Sequence, residues 1–359
     1  MYRRIAIGMA CLTIFLLSAC VDTNPQSEII PAWVEENSLN QDFLIFQRSV
    51  SVSDELTVPY IRSLEIGPEG EFLFVSGQAG AAVLDENGNL LQRLSPQQCP
   101  EPHTWSPYNA VYSPNGGIFV QVNANDEQPN TWGYYFDNAY TCITPADSSF
   151  RGGDHATFFD DDNLFRLHER FENGEHETQL LHSAANGRSK FFNHLSGPFD
   201  EFPGVNYRAA GGGMDIIGTE VFTAFVTEPT VFVYSLSGDL RRVIGDAPPF
   251  FRRIPEDIPV EIGMQRNSNV GELLRSTQWV TQLHAVNQST LVFQIMHGTE
   301  RRYATEFYDT NGQSQLKSPW PDLGSPVRAA KDGLVYFVER GKNSNATIHI
   351  FRFETDHQE

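Results

Sequence analysis

Five histidines fall between positions 155 and 194, namely His155, His168, His176, His182 and His194, and imidazoles gathered in one segment can hold a transition metal. Their spacing matches no zinc signature such as His-Glu-x-x-His, so they read as scattered strand or surface histidines. Asp160-Asp161-Asp162-Asn163 groups carboxylates as a calcium loop does. It lacks the alternating acids, central glycine and terminal glutamate of such a loop, and its place between two hydrophobic stretches makes it a turn. Gly211-Gly212-Gly213 is not followed by Gly-Lys-Ser or Gly-Lys-Thr, and close packing of a strand explains it better than a phosphate cradle. No Gly-x-Ser-x-Gly elbow is present. A triad assembled from distant residues stays open, and so does the question of whether the chain is an enzyme.

Cysteine chemistry is more specific. Cys20 ends the run Leu17-Ser18-Ala19-Cys20, after Arg3 and Arg4 and an apolar stretch from Ile5 to Leu17. That stretch is too short for a transmembrane helix, which needs about 20 apolar residues. The segment resembles the signal of bacterial lipoproteins, in which the chain is cut before the cysteine and its sulfur diacylated with fatty chains such as palmitate. The resemblance implies removal of residues 1–19 and an anchor at Cys20. Val21 stands where an aspartate tends to retain such proteins in the inner membrane, so the resemblance favours the outer membrane, with the body facing the periplasm. Residues 21–42 are polar, carry Pro25 and Pro31, and read as a flexible tether. With Cys11 lost in the signal and Cys20 acylated, Cys99 and Cys142 remain, an even pair in an oxidising compartment that reads as a disulfide.

The formal charge is -20, and losing Arg3 and Arg4 deepens it by two. Such an excess of acid argues against nucleic acid as a partner. At 40% hydrophobic and 12% aromatic residues the chain can build a large core.

From Phe43 onward short β-rich runs alternate with Gly, Asn and Asp punctuation, and no helical period is sustained. Lined up on their turns, the runs repeat as strand, turn, strand, strand, turn, strand. The first unit holds Ile61–Ile66, Phe72–Val75, Ala81–Leu84 and Leu90–Leu94. The second holds Asn109–Tyr112, Ile118–Val122, Gly133–Phe136 and Tyr140–Ile143, and weaker copies follow from His155, Val221, Trp279 and Val327. Four-stranded units of this length are the mark of a β-propeller. The expectation is an all-β, six-bladed propeller over 43–359, its last blade completed by the N-terminal run Phe43–Val50, which removes an exposed edge.

Turns such as Asp85-Glu86-Asn87-Gly88-Asn89-Leu90 and Tyr308-Asp309-Thr310-Asn311-Gly312 resemble the outer hairpins of six-bladed propellers of the NHL and TolB-like kind. Relatives of gluconolactonase and paraoxonase hold a divalent metal on the axis of this fold. The resemblance implies that a metal here would draw on inner-strand residues, of which the candidates are Glu65, Asn109, Asp154 or His155, Asp215 and His284, with Arg328 also lining the axis. No pair of acids among them recurs at matching positions, so polar lining of a water-filled channel is the plainer reading and no cofactor is expected. Trp105, Tyr108, Trp132, Tyr134, Tyr135, Trp279 and Trp320 sit near blade ends, where they could stack on a glycan or anchor a peptide, although packing between blades is their commoner use. The function that fits is a membrane-anchored binding or scaffold module of the envelope. A metal-dependent hydrolase or lactonase and a component of an envelope assembly are the alternatives.

Overall fold

A computed structural model describes residues 43–58, 60–76, 80–99, 106–122, 132–146, 156–161, 163–172, 175–184, 189–194, 212–225, 228–252, 278–297, 302–341 and 345–355. The described strands form six four-stranded antiparallel sheets in a propeller arrangement. The N-terminal strand is β1 (Leu44–Ser51). Sheet one holds β2 (Ile61–Ile66), β3 (Phe72–Ser76), β4 (Gly80–Leu84) and β5 (Leu90–Leu94). Sheet two holds β6 (Pro107–Tyr112), β7 (Ile118–Val122), β8 (Trp132–Phe136) and β9 (Cys142–Ala146). Sheet three holds β10 (Ala156–Asp160), β11 (Asn163–Glu172), β12 (Glu175–Ala184) and β13 (Ser189–His194). Sheet four holds β14 (Gly213–Ile217), β15 (Glu220–Ala224), β16 (Val231–Ser235) and β17 (Leu240–Ile244). Sheet five holds β18 (Trp279–Ala285), β19 (Thr290–His297), β20 (Arg302–Asp309) and β21 (Asp322–Leu323). Sheet six joins β22 (Val327–Lys331), β23 (Leu334–Arg340) and β24 (Ala346–Phe353) to β1, in the order β1-β24-β23-β22.

The first strand of each sheet packs beside the first strand of the next, β2 against β6, β6 against β10, and so on through β14, β18 and β22 back to β2. These inner strands form a closed ring about an axis. Burial follows from that geometry. The second and third strands are covered on both faces by neighbouring sheets, so β3 (FLFVS), β7 (IFVQV) and β16 (VFVYS) are buried at every residue. The fourth strands face water on one side, and β5 and β17 mix exposed with buried positions. Apolar clusters occupy the seams, for example Leu283, Leu291, Phe293 and Tyr308 of sheet five against Phe222, Val231 and Val233 of sheet four.

The hairpins explain the repeated turn signature. Asp85 Oδ1 accepts from the backbone N–H of Asn87 and Asn89, Asp137 Oδ1 from Ala139 and Thr141, and Asp309 Oδ1 from Asn311 and Gln313, all at 2.8–3.0 Å. An aspartate at the head of each turn thus satisfies two donors that the ladder leaves over. The fourth turn residue takes a left-handed conformation, filled by Gly88 and Gly312 in sheets one and five and by Tyr140 at φ 61° in sheet two. At Gly88 a Cβ would stand 2.1 Å from the Ser51 carbonyl oxygen, so glycine is required there by space as well as by φ.

Several boundaries differ from those read in the sequence. The fourth strand of sheet two is Cys142–Ala146 and not Tyr140–Ile143, because Tyr140 closes the Asp137 turn. Sheet three has a fourth strand, Ser189–His194, and sheet four a first strand, Gly213–Ile217, that periodicity did not show. The last strand of sheet five is only Asp322–Leu323. Cys99 and Cys142 are bridged, tying the link after β5 to the start of β9. Among the described residues no helix is long and apolar enough to cross a membrane. Cys20 and the stretch assigned as tether lie outside the described residues.

Candidate functional site: the polar axis

Glu65 and His284 are the penultimate residues of inner strands β2 and β18. Asp215 lies on β14, and its carboxylate accepts from the backbone N–H of Ala285 at 2.7 Å and of Ile216 at 2.8 Å, which puts it beside His284. In the ring β2 and β14 are three sheets apart, so Glu65 and Asp215 face each other across the axis. Each feels the enclosure. Burial pushes the Glu65 carboxyl up to about 8, with the charge of Asp215 adding to the rise and Lys331 opposing it. Burial lifts Asp215 to about 6 against the two backbone bonds that favour its anion. Glu65 is partly accessible to water and yet ringed by protein atoms, the condition of a side chain lining a narrow channel. At neutral pH it carries its proton, and Asp215 is largely ionised.

No hydrogen-bond donor among the described residues reaches the Glu65 carboxyl. Lys331, the nearby cation, is turned to backbone, donating to the carbonyls of Ile66 at 3.2 Å and Gly67 at 2.7 Å. His284 Nε2 lies 3.0 Å from Gln282 Oε1. Asn109 donates to Gln121 Oε1 at 2.9 Å. Arg328 lies at a β-bulge of β22, and further bulges interrupt β2 at Arg62, β6 at Tyr108 and β18 at Thr281. A bulge re-aims the side chain of the extra residue, and bulges cluster beside functional sites.

Of the residues named from sequence, Glu65, Asp215 and His284 are brought to the axis on facing or adjoining inner strands, Asn109 is engaged with its own sheet, and Asp154 and His155 lie outside the described residues. Glu65 and Asp215 are close enough for the charge of one to act on the other. A divalent cation wants several oxygen ligands at about 2.3–2.6 Å. Among the described residues no group of three or more His, Cys, Asp and Glu stands together to supply them, so the described set does not fit a metal and no metal-dependent step is drawn. The glycine reading holds for its described members: a Cβ on Gly213, at φ 136°, would stand 2.5 Å from the Leu283 nitrogen, so sheet four can approach sheet five only at glycine. Tyr134 and Trp279 are buried. Trp320 is half-buried and meets Phe250, Phe293 and Tyr308 edge-on, so it fills a seam.

Sequence reasoning missed one polar line. Ser49 Oγ lies 2.8 Å from His349 Nδ1, and His349 Nε2 lies 3.1 Å from Glu339 Oε2, a relay running across β1, β24 and β23. Burial holds the His349 imidazole below its ordinary range. Glu339 and His349 meet across the β23–β24 hairpin, and Ser49, 300 positions away in the chain, joins them because β1 pairs with β24, Leu44 opposite Phe353 and Ser51 opposite Thr347. They clamp the N-terminal strand to the C-terminal hairpin.

No protein-family model matches this chain, and no curated protein is similar to it in sequence. Solved structures share its fold. A Bacteroides fragilis protein described as exported superposes with a TM-score of 0.57 at 10% identity, covering 88% of this chain and 95% of that one. A DUF4221 protein from Bacteroides vulgatus does so at the same TM-score and 10% identity, covering 87% of this chain and 98% of its own. At that identity the likeness is one of fold.

Proposed function

We propose that this chain is a lipid-anchored, periplasm-facing six-bladed propeller that serves as a binding module of the cell envelope, taking a peptide or glycan ligand at its polar axis. The observation that carries the reading is Glu65 and Asp215, set across the axis with no described donor on Glu65. A buried carboxyl left without a hydrogen-bond partner costs stability, and a binding site is where such a cost is recovered. Glu65 and His284, near the ends of inner strands that run into the tight turns, lie toward the end of the ring from which the tether leaves. β1 begins beside the end of β24, at the end of the ring that carries the tight turns, so the segment leading from Cys20 joins there. The links between successive sheets lie at the other end, facing away from an anchor. A tether of residues 20–42 could extend some tens of Å and would confine the body near membrane-bound partners. Likeness to a protein described as exported agrees with an envelope location.

Growth with a fatty-acid analogue tests the anchor: the wild type incorporates label and fractionates with outer membrane, and Cys20→Ala does neither. Unlabelled wild type overturns the anchor. Affinity capture of cell-wall peptides and glycans by wild type and Glu65→Gln tests the axis, and capture by both to the same extent overturns it.

A further inference from the structure

The line Ser49, His349, Glu339 has the hydrogen bonds of a nucleophile, a base and an orienting acid. Ser49 Oγ stands 2.8 Å from His349 Nδ1, close enough to pass a proton, and Glu339 Oε2 stands 3.1 Å from Nε2. A carboxylate accepts and does not donate, so Nε2 carries the ring hydrogen and Nδ1 is left to accept from the serine hydroxyl. The two ring nitrogens are exchanged relative to the commoner triad, and the proton path is the same. Exposure is divided as the chemistry requires: Ser49 is open to water, while His349 is only 5% exposed and kept neutral at neutral pH by burial.

Strand pairing supplies the rest. β1 is the outermost strand of sheet six, and among the described residues it pairs only with β24. Val52 donates to the Ala346 carbonyl at 2.9 Å, and ladder bonds of an antiparallel pair fall on alternate residues, so Val50 and Arg48 are bonded positions and Ser49 is not. The Ser49 N–H therefore points to the open edge of the sheet, beside its own Oγ, as a donor for a developing oxyanion. A bulge at Gln47 re-aims β1 just before Ser49. Phe46, half-buried and edge-on to Phe351 at 5.3 Å, gives an apolar neighbour on the face of β24 that His349 shares with Phe351.

We propose that these residues form a serine hydrolase site for carboxylic esters with a small acyl group, with Ser49 as nucleophile, His349 as base and acid, and Glu339 as the positioning residue that orients the ring. Oγ attacks the ester carbonyl as its proton passes to Nδ1, giving a tetrahedral adduct whose oxygen meets the Ser49 N–H. The adduct collapses by breaking the ester C–O bond, and the departing alcohol takes the proton from Nδ1. Water then attacks the acyl-serine, again giving a proton to His349, and the carboxylic acid leaves as that proton returns to Oγ. The acyl group lies against Phe46, and the open edge leaves the alcohol portion outside. The site is on the outermost strand of its sheet, so it stands independently of a ligand at the axis.

The test treats the full mature protein with a fluorophosphonate, which phosphonylates an activated serine with loss of fluoride, and locates the adduct by mass spectrometry. Wild type is expected to carry the adduct on Ser49 and to hydrolyse p-nitrophenyl acetate, and Ser49→Ala, at an exposed position, is expected to stay folded and lose both. His349→Gln should slow labelling by about 10²-fold or more. Glu339→Gln should slow it about tenfold or more and move the acid limb of the pH–rate profile to lower pH, because the carboxylate raises the proton affinity of the imidazole. No adduct on Ser49, or equal labelling of wild type and His349→Gln, overturns the site. An acid limb that stays in place in Glu339→Gln overturns the triad, since a clamp that only holds strands together alters the melting temperature and leaves the profile alone. Should His349→Gln fail to fold, the adduct position and the Glu339→Gln profile decide.

Discussion

Glu306 and Glu65 are both enclosed carboxyls, and the protein treats them differently. Glu306, in the seam between sheets four and five, accepts from the Ser314 hydroxyl at 2.7 Å and from the backbone N–H of Phe307 at 3.0 Å and Trp320 at 3.2 Å. Glu65, at the axis, has no donor among the described residues and opposes a second acid. Glu220 is likewise paired, both of its oxygens accepting from Arg242. Where a carboxylate such as Glu306 serves the scaffold, both of its oxygens have donors. Incomplete bonding at the inner strands therefore marks groups kept for something outside the chain.

The seam side of the comparison breaks most visibly in the apolar core. Phe337→Ala removes a fully buried ring of sheet six and should cost about 3–5 kcal/mol, equally at pH 5.5 and pH 8.5, by denaturant unfolding. A pH-dependent loss would mean that seam and axis are not separate. Reducing the Cys99–Cys142 bridge, or replacing both with serine, should lower stability by about 2–4 kcal/mol through the freed loop, again without pH dependence.

The axis should respond in the opposite sense. Because the folded-state pKa of Glu65 is raised, its neutral form favours folding, and stability is lost as pH climbs from the ordinary carboxylate range toward 8. Glu65→Gln should be close to neutral at pH 5 and stabilising by about 3 kcal/mol at pH 8.5, the full shift being reduced by water in the channel. A destabilised variant at pH 8.5 would place Glu65 with the paired, structural acids. The smallest effect belongs to the turns: Asp309→Ala forfeits two backbone bonds at an exposed position and should cost about 1 kcal/mol.

How far the sequence carried depends on where each element's information lies. Sheets one and six were legible because their strands are apolar and their turns carry Asp, Asn and Gly at fixed offsets, as at Asp85-Glu86-Asn87-Gly88. The pairing of the N-terminal run with the last hairpin followed from counting strands. The first strand of sheet four was hidden, since Gly213 contributes no apolar signal and Asp215 interrupts the run, yet both residues are there for contacts across the ring. The two-residue β21 owes its existence to Tyr303 and Ala304 rather than to its own composition. Glu65, Asp215 and His284 could be named as inner-strand residues. Their mutual placement could not, because it depends on closing a ring over some 200 positions of chain with bulges that shift each strand's level.

One titration bears most directly on the claim that the axis encloses a carboxyl with no partner. Following the Glu65 side-chain carboxyl carbon by NMR from pH 3 to pH 10 should give a midpoint near 8, falling toward the ordinary range in Asp215→Asn. A midpoint near 4.5 in the wild type would contradict the account, because it would show that Glu65 is solvated or paired like any surface acid.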